Sequence, residues 1–256
     1  MRALTLISRQ NIDYWDNLYT PFYTNVFFEI AKRVHNRFNH ITKGWIKLKE
    51  KILKKLKNEK LLPLYTATNL DYLDKAEEIL LNNGLSFIEV TYRSDLASQA
   101  IKYLSESGKL IVGAGTVLNL ETAKEAIENG AQFIVTPGFS EEVVKYCLDQ
   151  DVLVFPGAVT PTEITKALDY GISNVKFFPA NVYGGLQAIE SLSGPFGGVK
   201  FLPTGGVDEK NVNDFLSNKA VLAVGGSFII SEKVIAEDDG KTANENLQKV
   251  IANLTK

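Results

Sequence analysis

The chain of 256 residues carries 28 lysines and arginines against 30 aspartates and glutamates, a formal net charge of −2, with 45% hydrophobic and 23% charged residues. That length suits one α/β barrel or a domain with an appendage, and the near-neutral balance excludes any global pull toward nucleic acid or an anionic membrane. A lone cysteine, Cys147, excludes an internal disulfide framework and fits a reducing, cytoplasmic setting, and no apolar run approaches the roughly 18 residues of a membrane span.

Residues 1–44 differ from the rest. They are rich in aromatics such as Tyr14, Trp15, Tyr19, Phe22 and Tyr23, and they hold both histidines, His35 and His40. Val26, Ile30, Val34 and Phe38 recur every four residues and predict a helix from about Asn25 to Phe38. The segment reads as an appended helical or partly disordered extension, or as a docking surface, and its residues leave its function open. Neither histidine has an acidic or thiol partner at metal-ligand spacing. From Trp45 to Lys60, Leu48, Ile52, Leu53 and Leu56 predict one apolar helix face, with lysines around the other sides. Such a basic face suits solvent, or else a nucleic-acid or lipid surface.

A rhythm starts at Leu61. Short apolar or β-branched runs begin near residues 61, 86, 110, 132, 152, 174, 199 and 221. Amphipathic patterns lie between them, including Asp71 to Leu81, Asp95 to Glu106, Leu120 to Asn129, Glu141 to Gln150, Pro161 to Asp169 and Asn211 to Asn218. Eight strands alternating with helices predict parallel pairing through βαβ crossovers and a (β/α)₈ barrel over residues 45–256. A doubly wound open sheet is the rival, but no strand is followed by G-x-G-x-x-G opening a helix.

In a barrel the functional groups gather where strands end. The second run reads F-I-E-V-T-Y-R, and a period of two places Glu89, Thr91 and Arg93 on one face. An acid and a base so spaced suit either a structural ion pair or a catalytic site. The sixth run, N-V-K-F-F-P-A, sets Lys176 among Val175, Phe177, Phe178 and Pro179. An ordinary lysine of pKa about 10.4 leaves only roughly one amine in 2,500 neutral at pH 7, whereas burial lowers that pKa and frees the amine to attack a carbonyl. A lysine at a strand end with its head in solvent is the other reading of these residues. After the seventh and eighth runs, Thr204-Gly205-Gly206 and Gly225-Gly226-Ser227 occupy adjacent strand ends, where backbone amides often hold a phosphate in barrels.

E-V-T-Y-R (Glu89 to Arg93), G-A-G-T-V (Gly113 to Val117), V-T-P-G (Val135 to Gly138), V-K-F-F-P-A (Val175 to Ala180), G-P-F (Gly194 to Phe196), P-T-G-G-V (Pro203 to Val207) and G-G-S (Gly225 to Ser227) stand in unbroken order between about Trp45 and Ile230. Together they resemble the 2-keto-3-deoxy-6-phosphogluconate / 4-hydroxy-2-oxoglutarate (KDPG/KHG) aldolase family. The resemblance implies a homotrimeric (β/α)₈ barrel, class I aldol chemistry without metal or cofactor, a phosphorylated 2-keto-3-deoxy sugar acid as substrate and pyruvate as product. It assigns the imine to Lys176 and proton transfer to Glu89. Arg93 and Thr116 would hold the pyruvate carboxylate, Pro137 and Phe178 would line the pocket, and Thr204, Gly205, Gly206, Gly225, Gly226 and Ser227 would hold the phosphate. Tyr65, Thr66 and Tyr92 depart from the family pattern. Two other classes share parts of this reading: a phosphosugar isomerase or epimerase barrel, which needs no lysine in N-V-K-F-F-P, and a non-catalytic barrel scaffold, which needs neither Lys176 nor Glu89.

Overall fold

A helix, α1, runs over 48–59 and is followed by eight short parallel strands in a computed structural model that describes residues 48–254. The aromatic extension, its expected helix from Asn25 to Phe38, and both histidines lie outside the described residues.

The strands are β1 (Leu61–Tyr65), β2 (Phe87–Thr91), β3 (Ile111–Gly115), β4 (Phe133–Val135), β5 (Leu153–Phe155), β6 (Asn174–Phe177), β7 (Lys200–Pro203) and β8 (Val224–Gly226). The helices between and after them are α2 (Leu73–Asn82), α3 (Ala97–Ser107), α4 (Leu120–Glu128), α5 (Glu141–Asp149), α6 (Pro161–Asp169), α7 (Gly185–Ser193), α8 (Val212–Ser217), α9 (Glu232–Asp238) and α10 (Lys241–Asn253). Local chemistry fixes several starts. Thr160 and Glu163 form a reciprocal capping box with Pro161 at the first turn of α6, and Asn119 caps α4 through the Thr122 amide.

Six strands form one curled parallel sheet in the order β5-β4-β3-β2-β1-β8, and β6 pairs with β7. The two sheets meet at both seams. Lys176 exchanges backbone hydrogen bonds with Pro156 and Ala158 at 2.9 Å beside β5, while single bridges join Phe201 to Val221 and Thr204 to Gly225 beside β8.

Alternation along the strands divides the core into two layers. Ile88, Val90, Val112, Ala114, Ile134, Val154, Val175 and Phe201 point to the surrounding helices, and Cys147 of α5 is buried in the same layer. Leu62, Leu64, Phe87, Phe133, Phe155 and Leu202 point the other way and pack with Ile52 and Leu56 of α1. The rings of Phe87 and Phe133 lie 6.1 Å apart and those of Phe133 and Phe155 6.2 Å apart. Gly113 makes room for this cluster, because a Cβ there would lie 2.1 Å from the Phe133 ring. The apolar stripe of α1 therefore covers the N-terminal ends of the strands, contributing about 1.5 to 3 kcal/mol for each fully buried aliphatic side chain. Leu48, expected on that stripe, is exposed, as are Lys51, Lys54, Lys55 and Lys57.

Candidate active site

Chain direction carries the inner face of β2 from Phe87 in the apolar layer to Glu89 and then Thr91. The side chain of Glu89 is fully buried, at 0% exposure, and neither carboxyl oxygen has a hydrogen-bond partner among the described residues. Lys176 in β6 is 1% exposed, so its head is not in solvent. Its Nζ lies 3.8 Å from Glu89 Oε1 and 4.9 Å from the centroid of the Phe178 ring. The Glu89 distance suits charge attraction but exceeds a hydrogen bond.

Burial moves both groups toward neutrality. The Lys176 amine is held below the ordinary lysine range by desolvation, assisted by the Arg93 charge and opposed by Glu89. The Glu89 carboxyl is raised by desolvation, against the pull of Lys176 and Arg93. A buried ion pair is costly to hold charged, so the pair is biased toward an amine facing a carboxylic acid.

The neighbouring backbone is shaped to this pair. A Cβ on Gly115 would fall 2.0 Å from Glu89 Oε1, so only glycine leaves that carboxyl its place. Thr116 follows with a φ of 58°, a left-handed conformation that costs a β-branched residue about 1 to 3 kcal/mol and turns the chain sharply after β3. Pro137 stands close by at the end of β4, where its carbonyl oxygen would lie 2.2 Å from a Cβ on Gly157.

A cavity of about 580 Å³ opens at the C-terminal ends of β1, β2, β7 and β8. Thr204, Gly205, Gly206, Gly226 and Ser227 line it from one side, and Arg93 and Phe178 also face it. Gly205 and Gly206 have φ values of 83° and 77°, and a Cβ on Gly206 would lie 2.3 Å from Asn181, so this turn requires glycine. Thr204 Oγ1 is buried without a hydrogen-bond partner among the described residues. Gly225 is buried behind it, with space for a Cβ filled by Thr204 Oγ1 at 2.6 Å.

Seven of the twelve residues singled out from the sequence thus share the cavity wall, whereas the buried pair Lys176 and Glu89 and the residues Thr116, Pro137 and Gly225 stand outside its lining. One placement needs correction. Arg93 does not continue the inner face of a strand, because β2 ends at Thr91 and the Arg93 amide turns back to the Thr91 carbonyl at 2.8 Å. Among the described residues the basic group nearest the Glu89 carboxyl is Lys176, at 3.8 Å, not Arg93.

Several wall residues had no site role from the sequence. Thr91, expected on the face of Glu89, and Thr66, a departure from the family pattern, face the cavity with their hydroxyl oxygens 2.7 Å apart. Glu232, in the first turn of α9, accepts hydrogen bonds from Tyr65 Oη at 3.0 Å, from the Thr68 amide at 2.9 Å and from the Thr68 hydroxyl. Its only sequence signal was an acid after Ser231 at a helix start.

A buried, weakly basic amine facing a buried carboxyl group, at the C-terminal ends of a curled parallel sheet, is the equipment of an enzyme that works on carbonyls through an imine. Residues 52–245 match the KDPG and KHG aldolase family model, and the chain belongs to that family. A 2-dehydro-3-deoxy-phosphogluconate aldolase of Haemophilus influenzae is 36% identical over 203 residues, covering 79% of this chain and 96% of that protein. Among solved structures, a KDPG aldolase of Legionella pneumophila with pyruvate captured as a covalent carbinolamine aligns with a TM-score of 0.71 at 29% identity, over 77% of this chain and 94% of that one. A 2-keto-3-deoxy-6-phosphogluconate aldolase of Zymomonas mobilis with 3-phosphoglycerate aligns with a TM-score of 0.72 at 30% identity, over 81% and 96%.

Proposed function

We propose that this protein cleaves 2-dehydro-3-deoxy-6-phosphogluconate to pyruvate and glyceraldehyde 3-phosphate through an imine on Lys176, and also accepts 4-hydroxy-2-oxoglutarate, releasing pyruvate and glyoxylate. The observation that carries this reading is the buried Lys176–Glu89 pair at 3.8 Å. Pyruvate bound covalently in the Legionella neighbour supports the first half of the reaction, and 3-phosphoglycerate in the Zymomonas neighbour supports a phosphorylated substrate. We read residues 45–256 as one closed (β/α)₈ barrel in a homotrimer and residues 1–44 as an appended extension. The bridges at both seams support the closure.

The neutral Lys176 amine attacks the C2 carbonyl and forms a carbinolamine. Glu89, as the acid, gives a proton to the departing hydroxyl, and water leaves to form the iminium. Glu89, now a carboxylate, takes the proton from the C4 hydroxyl. The C3–C4 bond breaks, its electron pair passes into the iminium, and the aldehyde departs, leaving an enamine. Glu89 returns the proton to C3, and water hydrolyses the resulting imine to pyruvate and free Lys176. Arg93 and Thr116 hold the substrate carboxylate, where a guanidinium fork fits two oxygens. Pro137 and Phe178 flank the imine. The Thr204-Gly205-Gly206 and Gly225-Gly226-Ser227 turns take the phosphate on backbone amides and hydroxyls.

Pyruvate release from 2-dehydro-3-deoxy-6-phosphogluconate, followed by coupled reduction of the pyruvate, tests the reading. The native protein should turn over, and Glu89→Gln should lose about 10² to 10⁴-fold in kcat while remaining folded. No pyruvate from the native protein with either substrate would overturn it.

A further inference from the structure

We propose that the Thr66–Thr91 hydroxyl pair is a specificity subsite that binds the C5 hydroxyl of the substrate, the hydroxyl next to the aldehyde carbon in the released fragment. This rests on the aldolase reading of the same cavity. The two oxygens are 2.7 Å apart, both residues line the cavity, and Thr91 is buried while Thr66 is half-buried.

Their place in the sheet assigns the atom. The order β8-β1-β2 sets the C-terminal end of β1 between the Gly226-Ser227 end of β8 and the strand that carries Glu89. Leu64 of β1 pairs in register with Glu89, and two residues further on Thr66 meets Thr91 through its hydroxyl. With C2 on Lys176 and the C4 hydroxyl at Glu89, a phosphate on C6 at the Gly-Gly turns brings C5 over the end of β1. A hydroxyl pair suits an alcohol there, because each threonine both donates and accepts and the pair can take a third hydroxyl without leaving a polar atom unpaired. The remaining apolar neighbour on β1, Leu64, offers no hydrogen bond.

The subsite is held in place from outside. Glu232 grips Tyr65 on one flank of Thr66 and Thr68 on the other, through three donors. Glu232 is therefore a positioning residue for the end of β1.

The test uses the full chain in the synthetic direction, with pyruvate and either glyceraldehyde 3-phosphate or 3-oxopropyl phosphate, which differ by one hydroxyl. The native protein should prefer the hydroxylated aldehyde in kcat/KM. Thr66→Val should reduce that preference by about tenfold, the worth of about one hydrogen bond, and Thr66→Ser should keep most of it. Thr91→Val serves as the second variant and should reduce it similarly. A borohydride-trapped pyruvate adduct on each variant shows that it is folded and competent. An unchanged preference in variants that form the adduct overturns the subsite alone. A native protein that forms no adduct overturns the aldolase reading and the subsite with it.

Discussion

The two ends of the parallel strands solve opposite problems with the same strands. At the N-terminal end, Phe87, Phe133, Leu153, Ile52 and Leu56 fill the interior with apolar side chains. At the C-terminal end the same inner face holds a buried acid and amine, a threonine hydroxyl without a hydrogen-bond partner among the described residues, and a cavity of about 580 Å³. Moving two residues along β2, from Phe87 to Glu89, crosses from one regime to the other. Stability is concentrated at the apolar end, and the buried polar groups that disfavour folding are gathered at the end where the cavity opens.

The largest expected effect breaks the functional end alone. Lys176→Met should abolish aldol cleavage, a loss of about 10³-fold or more in kcat, while stability stays level or rises by about 1 kcal/mol, because an apolar side chain of similar length avoids the burial cost of an amine. Chemical denaturation beside the pyruvate-release assay checks both halves. The reciprocal change, Leu56→Ala, should cost about 2 to 5 kcal/mol of stability and leave kcat near native in the folded fraction. If it lowered kcat as strongly as it lowered stability, the two ends would not be separable.

Gly115→Ala probes the border between the regimes. A methyl group aimed at Glu89 Oε1 has to displace the carboxyl, so kcat should fall about 10 to 100-fold with a smaller loss of stability. Next in size is a shift in pH dependence. Arg93 helps hold the Lys176 amine below its ordinary range, so Arg93→Gln should move the acid limb of kcat/KM to higher pH and raise KM for pyruvate in the synthetic direction. The same signs govern stability. Lys176 binds its proton more weakly folded than unfolded, so its contribution improves as pH rises through the lowered value, whereas the raised Glu89 loses its contribution as pH climbs from the ordinary carboxylate range through its own. The smallest expected effect is that of Glu232→Gln, which weakens the grip on β1. The hydroxylated-aldehyde preference should drop several-fold with little change in trapped pyruvate adduct.

The sequence was most readable where periodicity and chemistry disagreed. Strand starts at 61, 87, 111, 133, 153 and 200 fall within about one residue of the runs, because β-branched and aromatic runs bounded by turns mark strands directly. The eighth departs furthest. Residues 220–223 are apolar like a strand, but they touch β7 through a single bridge, and the paired strand begins only at Val224. Glu89 and Lys176 stood out as charges inside apolar runs. Thr66 stood out only as a departure from the family pattern, and Glu232 did not stand out, because its contacts join residues 164 and 167 positions apart. The reason for Gly115 was equally hidden, since a glycine at a strand end looks like a turn until the Glu89 carboxyl is seen in its Cβ position.

The central claim is that Lys176 is the imine-forming nucleophile. Borohydride reduction in the presence of pyruvate, read by intact mass and peptide mapping, tests it on the native protein and on Lys176→Met. A pyruvate-sized adduct on Lys176, absent from the variant, is the predicted result. A folded native protein that gains no adduct, or one that gains it on another lysine, would contradict the account.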